Sequence, residues 1–344
     1  MRKYDLIDVA GSCPVCHCVM ARRLYQVTSS QSAQHFVRQD ADGARFEKMR
    51  IEIERLWNGP TCAILRCREC GFVYAYPYVG GHEVFYGLLL GAPSYPRHRF
   101  EFGATLKVLR ERCAGLSGSA HLLEIGAGDG AFLQQVVPGL LPLENVLSTE
   151  FSPAGARAIR ARGMRCEMTD VRLLNDPKDL HRYSAICMFQ VLEHLDGLEE
   201  LWNSFDRLTT PTADLFLSVP NDRSIEFHEI HGGELDMPPN HIGRWNPVAF
   251  ATIGKRHGWA LANHVVEPSS RGALLHGLAT GRFFQARQTR GTITDRITRL
   301  ASRPLRRLCS LLPFGAHYLA SIPRALATDP TVLGGTQWAH FRKV

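Results

Sequence analysis

The sequence of 344 residues has no apolar run long enough to cross a bilayer, no internal repeat and no low-complexity tract. A membrane-spanning helix needs about 18 or more apolar residues, so none is expected. The opening stretch MRKYDLIDVAGSCPVC also lacks the apolar core of a secretory signal peptide. We therefore expect a cytoplasmic protein whose ten cysteines are thiols or metal ligands rather than disulfides.

Composition indicates a folded protein with an asymmetric charge. Hydrophobic residues make up 45% and charged residues 21% of the chain, which is ordinary for a protein with a sizeable core. The net charge is +7, but residues 271–344 hold twelve Lys or Arg against two Asp or Glu. Because the excess lies in this segment, it fits a nucleic acid, a membrane surface or a solvated helix face.

Strands and helices alternate from residue 119 to about 268. This pattern predicts βαβ units in an open, doubly wound, Rossmann-like α/β sheet. The segment after SVPN, up to about Pro247, reads as a loop. Residues 271–330 read as basic amphipathic helices broken by Pro304, Pro313 and Pro323, and GTQWAHFRKV as one last strand.

A glycine-rich loop follows the first strand of this region, in HLLEIGAGDGAFL. Its glycines are Gly126, Gly128 and Gly130. Together with Ala131, the first two glycines fit the dinucleotide pattern G-x-G-x-x-G/A, and the three glycines equally fit the tighter G-x-G-x-G of S-adenosylmethionine enzymes. Glu124 and Asp129 disfavour a pyrophosphate but suit the cationic S-adenosylmethionine. The acids therefore favour S-adenosylmethionine.

Two further acids end the next two strands. Glu150 lies about twenty residues beyond the glycines, where a carboxylate can bind ribose hydroxyls. Asp170 can bind the adenine amino group, or can simply cap a helix.

Four segments together resemble the class I S-adenosylmethionine-dependent methyltransferases: LLEIGAGDGAFL, VLSTEFSPAGARAIRARG, AICMFQVLEHL and ADLFLSVPN. The resemblance covers residues 95–268 and implies a seven-stranded sheet ending in an antiparallel strand, with the basic helices inserted before it. It also implies cofactor contacts from Glu124, Gly126, Gly128, Gly130, Glu150, Asp170, Phe189 and Gln190. The amino-methyltransferase motif [DN]-P-P-[YF] of enzymes acting on nucleic-acid bases is replaced by FQVL, which argues against that activity.

Two histidines are the candidate catalytic residues. VLEHL resembles a segment of the ubiquinone-biosynthesis O-methyltransferases, which carry one more glutamate for a cation. Because Gln190 stands at that position, we favour a role for Glu193 and His194 in shaping the substrate side. His241, in NHIGRW, can act as a general base, since imidazole titrates near neutrality, or can only hydrogen-bond its loop.

Two C-x-x-C pairs precede this region: Cys13 with Cys16, and Cys67 with Cys70. Four thiolates so paired can bind zinc tetrahedrally, in a closed structural site. The 50 intervening residues must then fold as part of a separate lobe.

We therefore predict four segments: a zinc-binding lobe (1–80), a connector and lid helix (81–118), a cofactor-binding core (119–268), and basic helices with the final strand (269–344). The predicted activity is methylation of oxygen or carbon on a small molecule, sugar or glycan. The basic helices would hold the enzyme peripherally at a membrane, or near an anionic, nucleotide- or lipid-linked substrate. The alternative is an RNA methyltransferase that uses the zinc lobe and basic segment to bind nucleic acid. The sequence predicts no oligomeric state.

Overall fold

Two β-sheets organise the chain in a computed structural model, which describes residues 6–89, 96–113, 120–137, 139–231, 233, 236–300 and 302–344. The strands are β1 (Ile7–Ala10), β2 (Met20–Thr28), β3 (Thr61–Cys67), β4 (Val73–Tyr76), β5 (Leu122–Ile125), β6 (Val146–Thr149), β7 (Arg165–Glu167), β8 (Tyr183–Phe189), β9 (Thr209–Pro220), β10 (Gly243–Arg244), β11 (Trp259–Val266) and β12 (Thr336–Lys343). The helices are α1 (Ser29–Phe36), α2 (Gly43–Trp57), α3 (Glu83–Gly87), α4 (Phe100–Cys113), α5 (Leu133–Val136), α6 (Pro153–Arg160), α7 (Leu198–Leu208), α8 (Asp222–Ile230), α9 (Pro247–Arg256), α10 (Arg271–Gln288), α11 (Ile293–Thr298) and α12 (Arg303–Leu326).

The seven-stranded sheet has the order β11-β12-β9-β8-β5-β6-β7. Strands β9, β8, β5, β6 and β7 pair in parallel, while β12 runs antiparallel to β9. Buried apolar residues fill β8 almost continuously, as expected for a central strand covered on both faces. The predicted α/β sheet and its final antiparallel strand are confirmed.

Helix boundaries in this region follow local sequence signals. The side chain of Ser152 accepts a hydrogen bond from the backbone N–H of Gly155, and Pro153 occupies the first turn of α6. Pro is tolerated there because the N–H that it lacks has no partner within the helix. Helix α7 buries Leu198, Leu201 and Phe205, whose spacing places them on one face.

The smaller sheet has the order β1-β2-β3-β4-β10. Strand β10 comes from far along the chain, and its Gly243 pairs with Tyr74 of β4. Helices α1 and α2 lie in the interval between the two cysteine pairs, for which the sequence predicted a lobe without naming its elements. Asp42 and Thr28 cap these helices, a signal that the sequence analysis did not use.

The two sheets share one buried apolar cluster. Phe72 of the smaller sheet lies against Trp245, with ring centroids 4.7 Å apart, and Trp245 stacks on Phe250 of α9 at 5.1 Å. Leu217 of β9, an interior strand of the larger sheet, belongs to the same cluster. The cysteine-bearing lobe and the larger sheet are therefore packed as one unit.

The chain divides into two compact units. The larger unit contains both sheets and comprises Leu6–Pro220, Pro238–Val265 and Thr336–Val344. The helical unit comprises, among the described residues, Asn221–Met237 and Val266–Gly335. The four-segment division made from the sequence stays a prediction.

Two expectations for the helical unit were wrong. The segment after SVPN contains α8, which Asn221 caps by accepting a hydrogen bond from Arg223 N–H. Helix α12 runs through Pro313 and Pro323 rather than breaking there. Packing against α10 outweighs the hydrogen bonds that these prolines remove, for Phe314 lies 5.7 Å from the Phe283 ring. None of the helices in the described ranges combines the length and apolarity that a bilayer-spanning segment requires.

The two ends of the inserted helical segment, at Glu267 and Gly334, lie next to each other within the helical unit. The Asn221 amide donates to the carbonyl oxygens of Val332 and Gly334, at 2.9 and 2.8 Å. A Cβ added to Gly334 would lie 1.9 Å from the carbonyl oxygen of Glu267. Only glycine fits at this closure, because any side chain would meet backbone.

Candidate functional site

The glycine loop lies at the carboxyl end of β5 and is held in a left-handed backbone conformation. Gly126, Gly128 and Gly130 have φ values of +67°, +60° and +81°. Other residues rarely adopt such values, so the turn requires glycine. A Cβ added to Gly126 would also lie 2.4 Å from Cγ2 of Val191. The loop therefore touches the segment that follows β8.

Glu150 is fixed against this loop. Its carboxylate accepts hydrogen bonds from the backbone N–H of Gly128, at 2.8 Å, and of Ser152, at 2.7 Å. Burial raises the pKa of Glu150, and the two backbone donors oppose that rise. Each carboxylate oxygen retains a lone pair, so Glu150 can still accept bonds from a ligand's hydroxyl groups.

Two other acids of the loop carry buried acceptor atoms. Within the described residues, Glu124 Oε2 and Asp129 Oδ1 have no hydrogen-bond partner. Burial, and then the charges of Glu150 and Asp129, raise the pKa of Glu124 well above its usual value. Buried acceptors of this kind fit a ligand that brings donors or positive charge, and they oppose a phosphate.

The Asp170 side chain is bound by its neighbour Arg172. Its side chain accepts a hydrogen bond from Arg172 N–H, at 2.8 Å, and its carboxylate lies 2.6 Å from the Arg172 guanidinium. Burial would raise the pKa of Asp170, but the bonds from Arg172 lower it. The capping role considered from the sequence is therefore observed, and contact with adenine stays a prediction.

Phe189 and Gln190 end β8 beside the glycine loop. The Phe189 ring is buried against Phe132 and Phe102, with centroids 4.9 and 5.3 Å apart. Gln190 has a φ of +57°, and its backbone N–H donates to Ser218. The structure thus places Phe189 within an aromatic cluster and Gln190 at a sharp turn.

The two candidate catalytic histidines lie together, although 46 residues separate them in the sequence. The rings of His194 and His241 have centroids 4.7 Å apart. Glu193 completes a cluster whose three ligand atoms lie within 4.8 Å of one another. Two imidazoles and a carboxylate at such distances can hold a metal ion or move a proton.

Backbone contacts hold this Glu193–His194–His241 cluster. His194 Nδ1 lies 2.7 Å from the carbonyl oxygen of Asn240, which can only accept, so Nδ1 carries the proton. Its Nε2 lies 3.8 Å from Glu193 Oε1. The N–H of Ile242 donates to the carbonyl of Glu193, at 2.8 Å, and fixes one segment on the other.

The four predicted metal ligands also come together. Cys13 Sγ lies 3.6 Å from Cys70 Sγ, and Cys16 Sγ lies 3.3 Å from Cys67 Sγ. All four sulfur atoms are within 4.8 Å of one another. Tetrahedral bonds of about 2.3 Å from zinc to sulfur would place sulfur atoms about 3.8 Å apart. The cluster therefore has the dimensions of a closed metal site.

The two cysteine turns share a backbone feature. The residue that follows the second cysteine of each pair has a left-handed conformation, His17 with a φ of +63° and Gly71 with +69°. Hydrogen bonding from Cys70 lowers the pKa of Cys13. A thiolate is the form of cysteine that binds a metal.

Comparison with known proteins identifies the larger sheet. Residues 95–264 match the family model of a methyltransferase domain. This chain contains a methyltransferase domain. The prediction of an S-adenosylmethionine-dependent methyltransferase is thereby confirmed.

Solved structures with a similar arrangement have low sequence identity. An S-adenosylmethionine-dependent methyltransferase from Archaeoglobus fulgidus is 14% identical, with a TM-score of 0.42, covering 70% of this chain and 94% of that one. One from Mesorhizobium loti is 11% identical, with a TM-score of 0.42 and coverage of 72% and 100%. The N-methyltransferase NodS from Bradyrhizobium japonicum is 12% identical, with a TM-score of 0.38 and coverage of 70% and 87%. No curated protein matches the chain.

Sequence reasoning missed one glycine that shapes the methyltransferase loop. A Cβ added to Gly155 of α6 would lie 2.3 Å from the carbonyl oxygen of Gly128 and 3.0 Å from Cγ of Glu150. The helix approaches the loop this closely only because Gly155 has no side chain. A glycine inside the otherwise helical PAGARAIR was the available signal.

We predict that Gly155→Ala lowers the free energy of unfolding by about 1–3 kcal/mol, because the new methyl group forces the loop carbonyl or the helix to move. Urea denaturation measures the change. Gly103→Ala, in the exposed face of α4 where a Cβ meets nothing within 4 Å, is the matched control. The free energy of unfolding of that variant should rise by about 0.4–1 kcal/mol. Equal stabilisation by both substitutions would contradict the packing described for Gly155.

Proposed function

We propose that the enzyme transfers the methyl group of S-adenosylmethionine to an oxygen or carbon atom of a small molecule, sugar or glycan. The observation that carries the proposal is the Glu193–His194–His241 cluster. Its Glu193 lies two residues after Val191, the side chain that a Cβ on Gly126 would meet. Proton-accepting groups thus lie close to the loop expected to hold the methyl donor. An acceptor hydroxyl or an acidic carbon needs such a group, because it must lose a proton as it is methylated.

In this proposal the glycine loop and its acids hold the cofactor. S-adenosylmethionine would bring a sulfonium carbon that is open to displacement. Glu150 would accept bonds from the ribose hydroxyls, for which its two backbone donors orient it. Glu124 and Asp129 would receive the donors that their buried oxygens lack, with Gly126, Gly128 and Gly130 allowing close backbone approach. Asp170, Phe189 and Gln190 are the further proposed contacts, to adenine and the cofactor face.

We predict that Glu150→Gln weakens S-adenosylmethionine binding by about 10–100-fold, since hydrogen bonds to a charged group contribute about 1.5–3 kcal/mol. Titration calorimetry measures the dissociation constant. Glu167→Gln, at the end of the neighbouring strand β7, is the control and should bind like the unaltered enzyme. Unchanged affinity in the Glu150 variant would refute its cofactor role.

His241 is the proposed general base, and His194 the residue that positions it. The bond from His194 Nδ1 to Asn240 fixes the His194 ring, whose centroid lies 4.7 Å from that of His241. This contact orients the His241 imidazole. As the general base, the His241 imidazole would take the proton that the acceptor loses as it is methylated.

We predict that transfer of a radiolabelled methyl group, screened over nucleotide sugars, glycans, phenols and RNA, identifies an acceptor among the first three. With that acceptor, His241→Ala should lower kcat at least about 100-fold while S-adenosylmethionine binding is retained. Added imidazole should restore part of the rate, since it replaces the missing base.

Three outcomes oppose this assignment. Full activity of the His241 variant would refute the base. Activity that requires added Mn²⁺ would assign the cluster to a cation instead. Transfer to RNA alone would favour the alternative in which the arginine-rich helices bind nucleic acid.

The cysteine cluster is proposed to hold a structural zinc ion. Four thiolates leave no open coordination position, so the ion would stabilise the lobe rather than take part in catalysis. Three of the cysteines, Cys13, Cys67 and Cys70, belong to the buried cluster that also contains Leu192 and Trp245, and Cys16 packs against it. Loss of the ion would therefore disturb the packing next to the Glu193–His194–His241 cluster.

We predict that elemental mass spectrometry finds one zinc ion per chain. The Cys13→Ser variant should lose this ion and melt at a lower temperature. Cys18→Ser is the matched control, because Cys18 adjoins the site but lies outside the four-sulfur cluster. It should retain the metal. A melting temperature that does not change when a chelator removes the metal would contradict a structural zinc site.

A further inference from the structure

Helix α12 exposes a row of leucines along one side. Their positions differ by three, four, seven and seven residues, which is the spacing of a single helix face. This leucine face consists of Leu305, Leu308, Leu312, Leu319 and Leu326, with exposed fractions of 48, 65, 81, 68 and 63%. Large apolar side chains exposed in a continuous row mark an interaction surface more often than scattered ones do.

Another side of α12 is already occupied by α10. Ser321 and Ala325 are buried, and Ala325 packs in an apolar cluster with Leu274 and Leu278 of α10. The guanidinium of Arg282 donates to the carbonyl of Ala320, at 2.7 Å. Helix α12 is thus packed against α10 within the helical unit. The leucine face lies outside this contact.

The charges on α12 select among occupants of this face. Its 24 residues contain four arginines and no Asp or Glu. Arg306 and Arg307 lie between the first two leucines of the face, and Arg324 lies near its end. The whole segment 266–335 has ten arginines against three acidic residues.

A second copy of this chain fits poorly, because facing copies of α12 would bring arginines together without acidic partners. An RNA would use the arginines but not the leucines. An anionic bilayer uses both, since leucines enter the acyl boundary while arginines meet the headgroups.

We propose that α12 is a membrane-surface helix that lies in the plane of an anionic bilayer, with its leucine face inserted and Arg306, Arg307 and Arg324 at the phosphates. The helix is amphipathic and continuous through Pro313 and Pro323, so its leucine face lies along one side over the whole length from Leu305 to Leu326. This association is independent of the methyl acceptor and of the proposed catalytic residues.

The test is co-sedimentation of the full-length protein with vesicles of phosphatidylcholine and phosphatidylglycerol, and with vesicles of phosphatidylcholine alone. We expect binding to the anionic vesicles, weakened by salt, and at least about tenfold weaker binding to the neutral ones. Leu308→Gln/Leu312→Gln should reduce binding to anionic vesicles at least about tenfold. Leu173→Gln is the control, because Leu173 is 68% exposed but lies in the larger unit.

A second double substitution separates the electrostatic contribution of the arginines from the apolar contribution of the leucines. Arg306→Gln/Arg307→Gln should weaken binding and reduce its dependence on salt, while circular dichroism remains unchanged. Equal sedimentation of the wild type and the leucine variant would overturn the proposal, as would no binding to anionic vesicles. So would dimers that the leucine variant dissociates without any vesicle binding, or RNA binding that the vesicles do not compete for.

Discussion

The short strand β10 is the constraint on which the geometry of the candidate site depends. Gly243 pairs with β4 so closely that a Cβ there would lie 2.8 Å from the Phe72 ring. The next residue but one, Trp245, packs on that ring, and its carbonyl accepts a hydrogen bond from the Gln337 amide at 2.6 Å. Held from both sides, the segment that carries His241 has little freedom to move away from His194.

This arrangement explains why a cysteine-bearing lobe precedes the catalytic sheet. The lobe supplies β4 and Phe72, against which the segment of His241 is aligned. Cys13, Cys67 and Cys70 belong to the same buried cluster as Leu192, one residue before Glu193, and Cys16 packs against that cluster. Small sheets bury too little apolar surface to be rigid by themselves, and a metal site is one means of fixing them. The lobe is thus part of the frame of the site.

Local sequence patterns were sufficient for the parallel sheet, the glycine loop and the cysteine pairs. Each depends on residues that lie close together in the chain: alternating strands and helices, three glycines within five positions, and C-x-x-C turns. They did not reveal β10, because its two residues become a strand only through pairing with β4. Nor could they bring His194 to His241, which depends on the bond from Ile242 to Glu193. Pro313 misled the helix prediction because packing against α10, absent from local propensity, outweighed the lost hydrogen bond.

The closure at Gly334 has a consequence for how this chain could have acquired its helices. The polypeptide leaves the end of β11 and returns to β12 through backbone atoms that nearly touch, Glu267 and Gly334. These two strands are neighbours in the sheet, so a short turn would satisfy the same connection. The helices between them can therefore be gained, lost or exchanged without a change in the order or the pairing of the strands. Natural variation at this junction would change the inserted helices while leaving the connections of the seven-stranded sheet intact.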